Sequence, residues 1–238
     1  PLLRAPSITK VSPAQVDLAN CNGCSRCVAD CPFGAVTMIA RTDSSRHPRQ
    51  AVVNPDLCAA CGICVGACPS ATPFRRLEDI VSGIEMPDTP VAALRRELQQ
   101  KMAALSGPEK AIVFTCRQTG DPAAWADAST AVMALECAAM LPPSFLEYAV
   151  RMGASAVVVA GCKEGDCEFR LGDQWVRERI LGLREPRLRA SAPRERIAVV
   201  WSGRDAHLVR ETLGNLRERV SALKGAEANT DWKEIEHE

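Results

Sequence analysis

The chain has 238 residues, and its 29 basic and 29 acidic side chains leave a formal net charge of zero. That balance removes the electrostatic basis for nucleic-acid binding, which calls for a strongly basic face, and aromatics at 4%, with a single Tyr, leave little for a base-stacking platform. Apolar residues at 47% supply an ordinary core in a chain long enough for two modest domains, while no apolar run reaches the roughly 18–20 residues of a membrane span.

The N-terminus carries no signal-peptide h-region. It begins at Pro1 rather than Met, as methionine removal or truncation of a longer protein would leave it. Of the twelve cysteines, eight fall into two tight groups. With no export signal, thiolate ligation of metal in a reducing cytoplasm is expected, not a secreted disulfide scaffold.

The first group is Cys21-x2-Cys24-x2-Cys27-x3-Cys31-Pro32, and the second is Cys58-x2-Cys61-x2-Cys64-x3-Cys68-Pro69, displaced by 37 positions. This is C-x2-C-x2-C-x3-C-P twice, the spacing of two-cluster bacterial ferredoxins. Three thiolates two residues apart on a looping backbone reach three iron corners of one cubane. The fourth cysteine, expected to open a short helix pointing away, ligates the other cluster. One 4Fe-4S cluster is therefore assigned Cys21, Cys24, Cys27 and Cys68, and the other Cys58, Cys61, Cys64 and Cys31. Zinc sites favour paired C-x2-C knuckles over four cysteines in one short run. Gly23, Gly62 and Gly66 are expected to let the backbone pass close to inorganic sulfide. Apolar pieces at Val36–Ile39 and Val52–Val53 fit small hairpin strands, with residues 41–50, including a solvated His47, as the loop between the halves.

Residues 75–89, with Gly83 and Pro87, have the composition of a linker. A helix follows, with Thr89 as its cap, Pro90 in its first turn and Gly107-Pro108 at its end. Val91, Leu94, Leu98, Met102 and Leu105 make its apolar stripe, which is expected to pack on a neighbouring domain.

From residue 111 four continuous apolar runs appear: 111–114, 132–135, 156–160 and 197–201. Continuous rather than alternating runs suit strands buried on both faces, as in a parallel sheet. Helical stretches are expected at about 144–152, 172–181 and 206–223. The pattern predicts a small doubly wound α/β domain. Cys116, Cys137 and Cys162 follow the first three strands, with Cys167 in the same loop as Cys162. Binding sites of such sheets lie outside the carboxyl ends of the strands, so these four thiols are candidates for an iron–sulfur cluster or zinc. Burial as inert thiols, or a Cys162–Cys167 redox disulfide, are the other readings of the same residues.

The fold class expected is thus an α+β ferredoxin-like domain with two 4Fe-4S clusters over residues 1–74, a linker and helix over 75–110, a parallel-sheet α/β domain over 111–224 and an acidic tail over 225–238 that includes Trp232.

Three segments carry a family resemblance: Ile112-Val-Phe-Thr-Cys116 with Glu136-Cys137, then Pro143-Ser-Phe-Leu-Glu-Tyr-Ala-Val-Arg-Met-Gly-Ala154, then Val157-Val-Val-Ala-Gly-Cys-Lys-Glu-Gly-Asp-Cys167. Together they resemble the delta subunit of methyl-viologen-reducing hydrogenase. The resemblance implies one 2Fe-2S cluster held by Cys116, Cys137, Cys162 and Cys167, passing electrons between a hydrogenase or formate dehydrogenase and the flavin subunit of heterodisulfide reductase. Residues 15–73 resemble the ferredoxin module that the flavin subunit supplies in that family. Two stretches depart from the family pattern: Arg117-Gln-Thr-Gly120, where a further cysteine is frequent, and Cys137-Ala-Ala-Met140 in place of Cys-Ser-Gly-Arg. They leave four cysteines, enough for one cluster.

The expected function is an electron-transfer subunit of a larger oxidoreductase complex, non-catalytic itself, with a flavin subunit, hydrogenase, formate dehydrogenase or similar as partners. A cytoplasmic location is expected, in a complex with or without a membrane-bound subunit. There is no G-x-G-x-x-G, P-loop or H-E-x-x-H. A flavin-dependent reductase with a ferredoxin input domain, or a thiol redox sensor at Cys162 and Cys167, are the alternatives. Arg184, Arg187, Arg189, Arg194 and Arg196 crowd one loop, offered as a dock for an acidic partner or as a solvated stretch balanced by Glu185 and Glu195.

Overall fold

The computed structural model describes residues 12–43, 45–75 and 80–228. The first half carries strand β1 (Gln15–Val16), helix α1 (Arg26–Asp30), strands β2 (Val36–Ala40) and β3 (Arg49–Val53), helix α2 (Ile63–Ala67) and strand β4 (Ile84–Glu85). Strands β2 and β3 pair antiparallel as a hairpin, so the polar loop ends at residue 48 rather than 50. Strands β1 and β4 pair antiparallel, Gln15 with Glu85 and Val16 with Ile84.

Each short helix carries the third cysteine of its group and stops at the fourth. Cys31 (φ −75°, ψ 108°) and Cys68 (φ −79°, ψ 121°) are extended. The cause is the proline that follows each, which pushes the residue before it out of helical geometry. The fourth cysteine therefore closes a helix, where the sequence suggested that it opens one. The residue before each helix is left-handed, Ser25 at φ 66° and Gly62 at φ 75°, and the two are equivalent in the repeat.

Part of the stretch 75–89, expected as linker, enters the core instead. Ile80, Ile84 and Met86 are buried. Glu85 turns back to accept from Ser82 N at 2.8 Å and from Val91 N at 2.9 Å. That second bond satisfies the start of helix α3 (Val91–Ala104) in place of Thr89, whose own N–H bonds Met86 O in a tight turn. The predicted apolar stripe of α3 is buried throughout.

The second half has strands β5 (Ala111–Cys116), β6 (Thr130–Leu135), β7 (Ala156–Gly161) and β8 (Ile197–Trp201), with helices α4 (Ser144–Arg151), α5 (Gly172–Leu181) and α6 (Ala206–Ala228). The strands form one parallel sheet in the order β6-β5-β7-β8. Side chains alternate between two cores. Ala111, Val113, Val132, Val158 and Val200 face α6, which contributes Val209, Leu213, Leu216 and Val220. Ile112, Phe114, Met133 and Val157 face the other way, into a core shared with α3, α4 and the first half of the chain. The cysteine-rich half thus covers one face of the sheet as a layer of helices would.

Helix α6 continues past Leu223 through residues 225–228; the remainder of the expected tail, with Trp232, lies outside the described residues. Among the described residues no helix is long and apolar enough to cross a membrane.

Leu98 of α3 is fully buried, whereas Leu183 is 75% exposed. Leu98→Ala is expected to destabilise the protein by about 2–5 kcal/mol, and Leu183→Ala by under about 0.5 kcal/mol. Denaturant unfolding followed by circular dichroism measures both.

Candidate metal centres

Eight cysteines of the first half gather in two sets. Cys21, Cys24 and Cys68 are the charged neighbours of Cys27. Around Cys64 stand Cys61, Cys58 and Cys31, with Cys27 also close. The fourth cysteine of each group has crossed to the other, because the short helices carry Cys31 and Cys68 away from their own loops. Cys21, Cys24, Cys27 and Cys68, with Met38 and Ile84, wall a hollow of about 300 Å³ that is partly open to solvent. Burial, reinforced by neighbouring cysteines, pushes the Cys27 thiol up to about 12. Burial does the same to Cys61, also about 12, and lifts Cys64 well above the ordinary thiol range. Ala35 N donates to Cys31 Sγ at 3.3 Å, and Cys68 Sγ lies 3.1 Å from Ser70 Oγ. As thiolates these groups need a cationic core to stand their burial.

The other four cysteines converge at the carboxyl edge of the sheet. Cys116 ends β5 and Cys162 follows β7, on either side of the point where the strand order reverses. Cys137 enters from the turn after β6, and Cys167 from the loop before α5. Cys116 has the thiols of Cys137 and Cys162 as neighbours, and Cys167 has the same two. The result is a closed ring of neighbours. Within it Cys137 and Cys162 act as donors and are raised, while Cys116 is lowered to about 4 and Cys167 to about 2. Ala138 N adds a bond to Cys116 Sγ at 3.1 Å. Gly172, at the start of α5, closes the ring from below: a Cβ there would lie 2.5 Å from Cys137 Sγ and 3.0 Å from Cys167 Sγ. Four soft thiolates are the donor set of iron–sulfur clusters or zinc. Among the described residues no three His, Cys, Asp or Glu side chains converge on one bare metal ion, so the ring is a set of neighbours and not a ready single-ion cage.

The two halves meet between these centres. The turn Ala138–Met140 lies directly on α2. A Cβ at Gly62 would lie 2.7 Å from Met140 Cγ, and one at Gly66 would lie 2.0 Å from Ala139 O. The small size of Gly62 and Gly66 therefore serves domain docking. At Gly23 the close neighbour is likewise protein, Arg49 O at 2.5 Å from a built Cβ.

Arg179 of α5 seals the junction. It is 1% exposed and pairs with Asp30, itself 2% exposed and adjacent to Cys31. Its Nη1 donates to Ala139 O at 2.8 Å and its Nη2 reaches Ile63 O at 3.4 Å. Arg184 donates to the other oxygen of Asp30 at 2.7 Å and to Glu178 at 2.7 Å, while its guanidinium covers the Trp175 ring. Trp175 Nε1 donates to Asp30 O at 3.1 Å, and Arg170 Nη1 donates to Pro32 O at 3.0 Å.

Sequence reasoning missed Asp30, Gly172, Trp175 and Arg179, because none stands in a motif; only the position of Asp30 beside Cys31 was a signal. Four of the five arginines of the loop also have partners within the chain. Arg184 binds Asp30, Arg189 pairs with buried Glu147, Arg187 pairs with Glu185 at 3.3 Å, and Arg194 donates to Ile180 O at 2.7 Å. Lys163 and Asp166 line an open cleft beside Cys162 with Arg204, and are joined by a backbone bond from Asp166 N to Lys163 O at 2.9 Å.

Two segments of the chain match known families. Residues 20–72 match the 4Fe-4S dicluster domain, and residues 111–224 match the family model for methyl-viologen-reducing hydrogenase, delta subunit.

Gly66→Ala forces a methyl group into Ala139 O and Arg179, and overpacking of this kind costs about 1–3 kcal/mol. The expected outcome is a lower unfolding midpoint with faster amide exchange at residues 138–140 than at the far end of β6, read by hydrogen–deuterium exchange.

Proposed function

Because the chain joins a 4Fe-4S dicluster domain to a methyl-viologen-reducing hydrogenase delta-subunit domain, and so has an iron–sulfur electron-transfer role, we propose that it relays electrons through three centres within a larger oxidoreductase complex. Two are 4Fe-4S clusters, one held by Cys21, Cys24, Cys27 and Cys68, the other by Cys58, Cys61, Cys64 and Cys31. The third is a 2Fe-2S cluster held by Cys116, Cys137, Cys162 and Cys167.

The observation that carries this reading is the closed ring of thiols at the sheet edge, seated one turn of chain from α2. The β-α-β-β-α-β order of the first half, with its exchanged fourth cysteines, supports a ferredoxin-like unit. When bound, iron–sulfur clusters supply electron carriers whose potentials follow cluster type, net charge, hydrogen bonds to sulfur and exposure. The chain's own residues set those conditions. Ala35 N and Ala138 N donate to thiolate sulfurs, while Trp175 and the Ala138–Met140 turn keep water from the space between centres. Cys24 is exposed at one end, and Cys162 borders an open cleft at the other. Electrons therefore have an entrance and an exit at opposite domains, which suits a subunit between a flavin subunit and a hydrogenase, formate dehydrogenase or similar enzyme. A cytoplasmic setting keeps twelve free thiols reduced.

Anaerobically purified protein is expected to hold about ten irons per chain, the sum for two 4Fe-4S and one 2Fe-2S clusters. Cys137→Ser and Gly172→Ala should each remove about two irons and leave the other eight or so. A wild-type content of about eight, unchanged by Cys137→Ser, would overturn the third centre. In that case a Cys162–Cys167 disulfide would indicate a thiol switch, and flavin absorbance would indicate a reductase.

A further inference from the structure

A buried guanidinium bridging two cysteine loops does more than hold them together. Arg179 touches Ile63 O, one residue before Cys64, and Ala139 O, two residues after Cys137. Its Nε is buried without a partner among the described residues, so hydrogen bonding alone does not account for its placement. The surrounding charges are Asp30, Arg184 and, on Arg184, the more exposed Glu178. The four charges balance, but they do not stand equally near the Cys137 turn: Arg179, through Nη1 on Ala139 O at 2.8 Å, is the one that touches it.

We propose that Arg179 is a positioning residue that couples the dicluster domain electrostatically to the four-cysteine centre, fixing the approach of the Cys61–Cys64 loop to the Cys137 turn and easing reduction of the centre held there. This deepens, and rests on, the three-centre reading. Adding an electron next to a buried cation is favourable because little solvent screens the pair. Net charge in the surroundings is one of the terms that set cluster potential. Asp30 acts with the opposite sign: it offsets Arg179, and its removal leaves the cation less compensated. The influence of Cys137 on the Arg179 guanidinium agrees with their proximity.

The test is a redox titration of the whole chain, read by electron paramagnetic resonance, following the signal that Cys137→Ser abolishes. Arg179→Gln is expected to make reduction of that centre at least tenfold harder, about 59 mV for one electron. Asp30→Asn, which keeps the shape and an acceptor oxygen, is expected to make it easier. Arg179→Lys should stay within about threefold of wild type, since the charge remains. A wild-type titre in either Arg179→Gln or Asp30→Asn overturns the proposal, as do shifts of the same sign in both. So does an Arg179→Lys shift as large as that of Arg179→Gln, which would assign the effect to packing. If Arg179→Gln does not fold, the sign of the Asp30→Asn shift decides alone. Wild-type protein with no signal lost in Cys137→Ser would instead refute the three-centre reading, and this inference would fall with it.

Discussion

Close approach of backbone to backbone between the two halves of the chain is the constraint on which this fold turns. Between α2 and the turn after β6 there is no space for even one methyl group at Gly66. Such an approach buries peptide carbonyls, and each must find a donor. Ala139 O and Ile63 O find the same one, the Arg179 fork, whose own charge is met by Asp30. Breaking a buried pair by removing one member costs about 3–5 kcal/mol because the survivor is stranded. The contact is therefore an all-or-none device: glycine, carbonyl, cation and anion are each useful only when the others are present.

The parallel sheet explains why the contact lies where it does. Its strands end at one edge, and three of the four cysteines there come from strand ends or the turn just beyond. Its apolar face on the same side is long enough to accept α3, α4 and the cysteine-rich half in a single core. The dicluster domain is thus held twice, through side-chain packing along the sheet face and through the polar junction at the sheet edge. Helix α6 on the opposite face leaves the edge free.

Much of this was legible in the sequence because cysteine spacing and apolar runs are local signals. The eight-cysteine repeat, the four buried strands and the stripe on α3 need only periodicity and chain order to be found. What escaped detection is non-local. Residues 80–89 have turn-like composition, yet Ile84 and Glu85 within them pair with Val16 and Gln15 at a sequence distance that no pattern rule spans. Glu85 serves as a cap from outside the helix, where sequence rules look to Thr89. Arg184 looked like part of a basic loop because its partner, Asp30, is a whole domain away. The direction of the short helices was misjudged for a local reason, the constraint that Pro32 and Pro69 place on the cysteine before them.

The two cysteine groups are copies in spacing but not in surroundings. Helix α1 buries only Cys27 and Asp30, while every residue of α2 is buried. A replacement at exposed Ala29 meets mostly water; one at its counterpart Gly66 meets Ala139 and Arg179 of the other half. One copy of the repeat thus tolerates side chains of many sizes on its helix, while its twin admits only what the facing domain leaves room for.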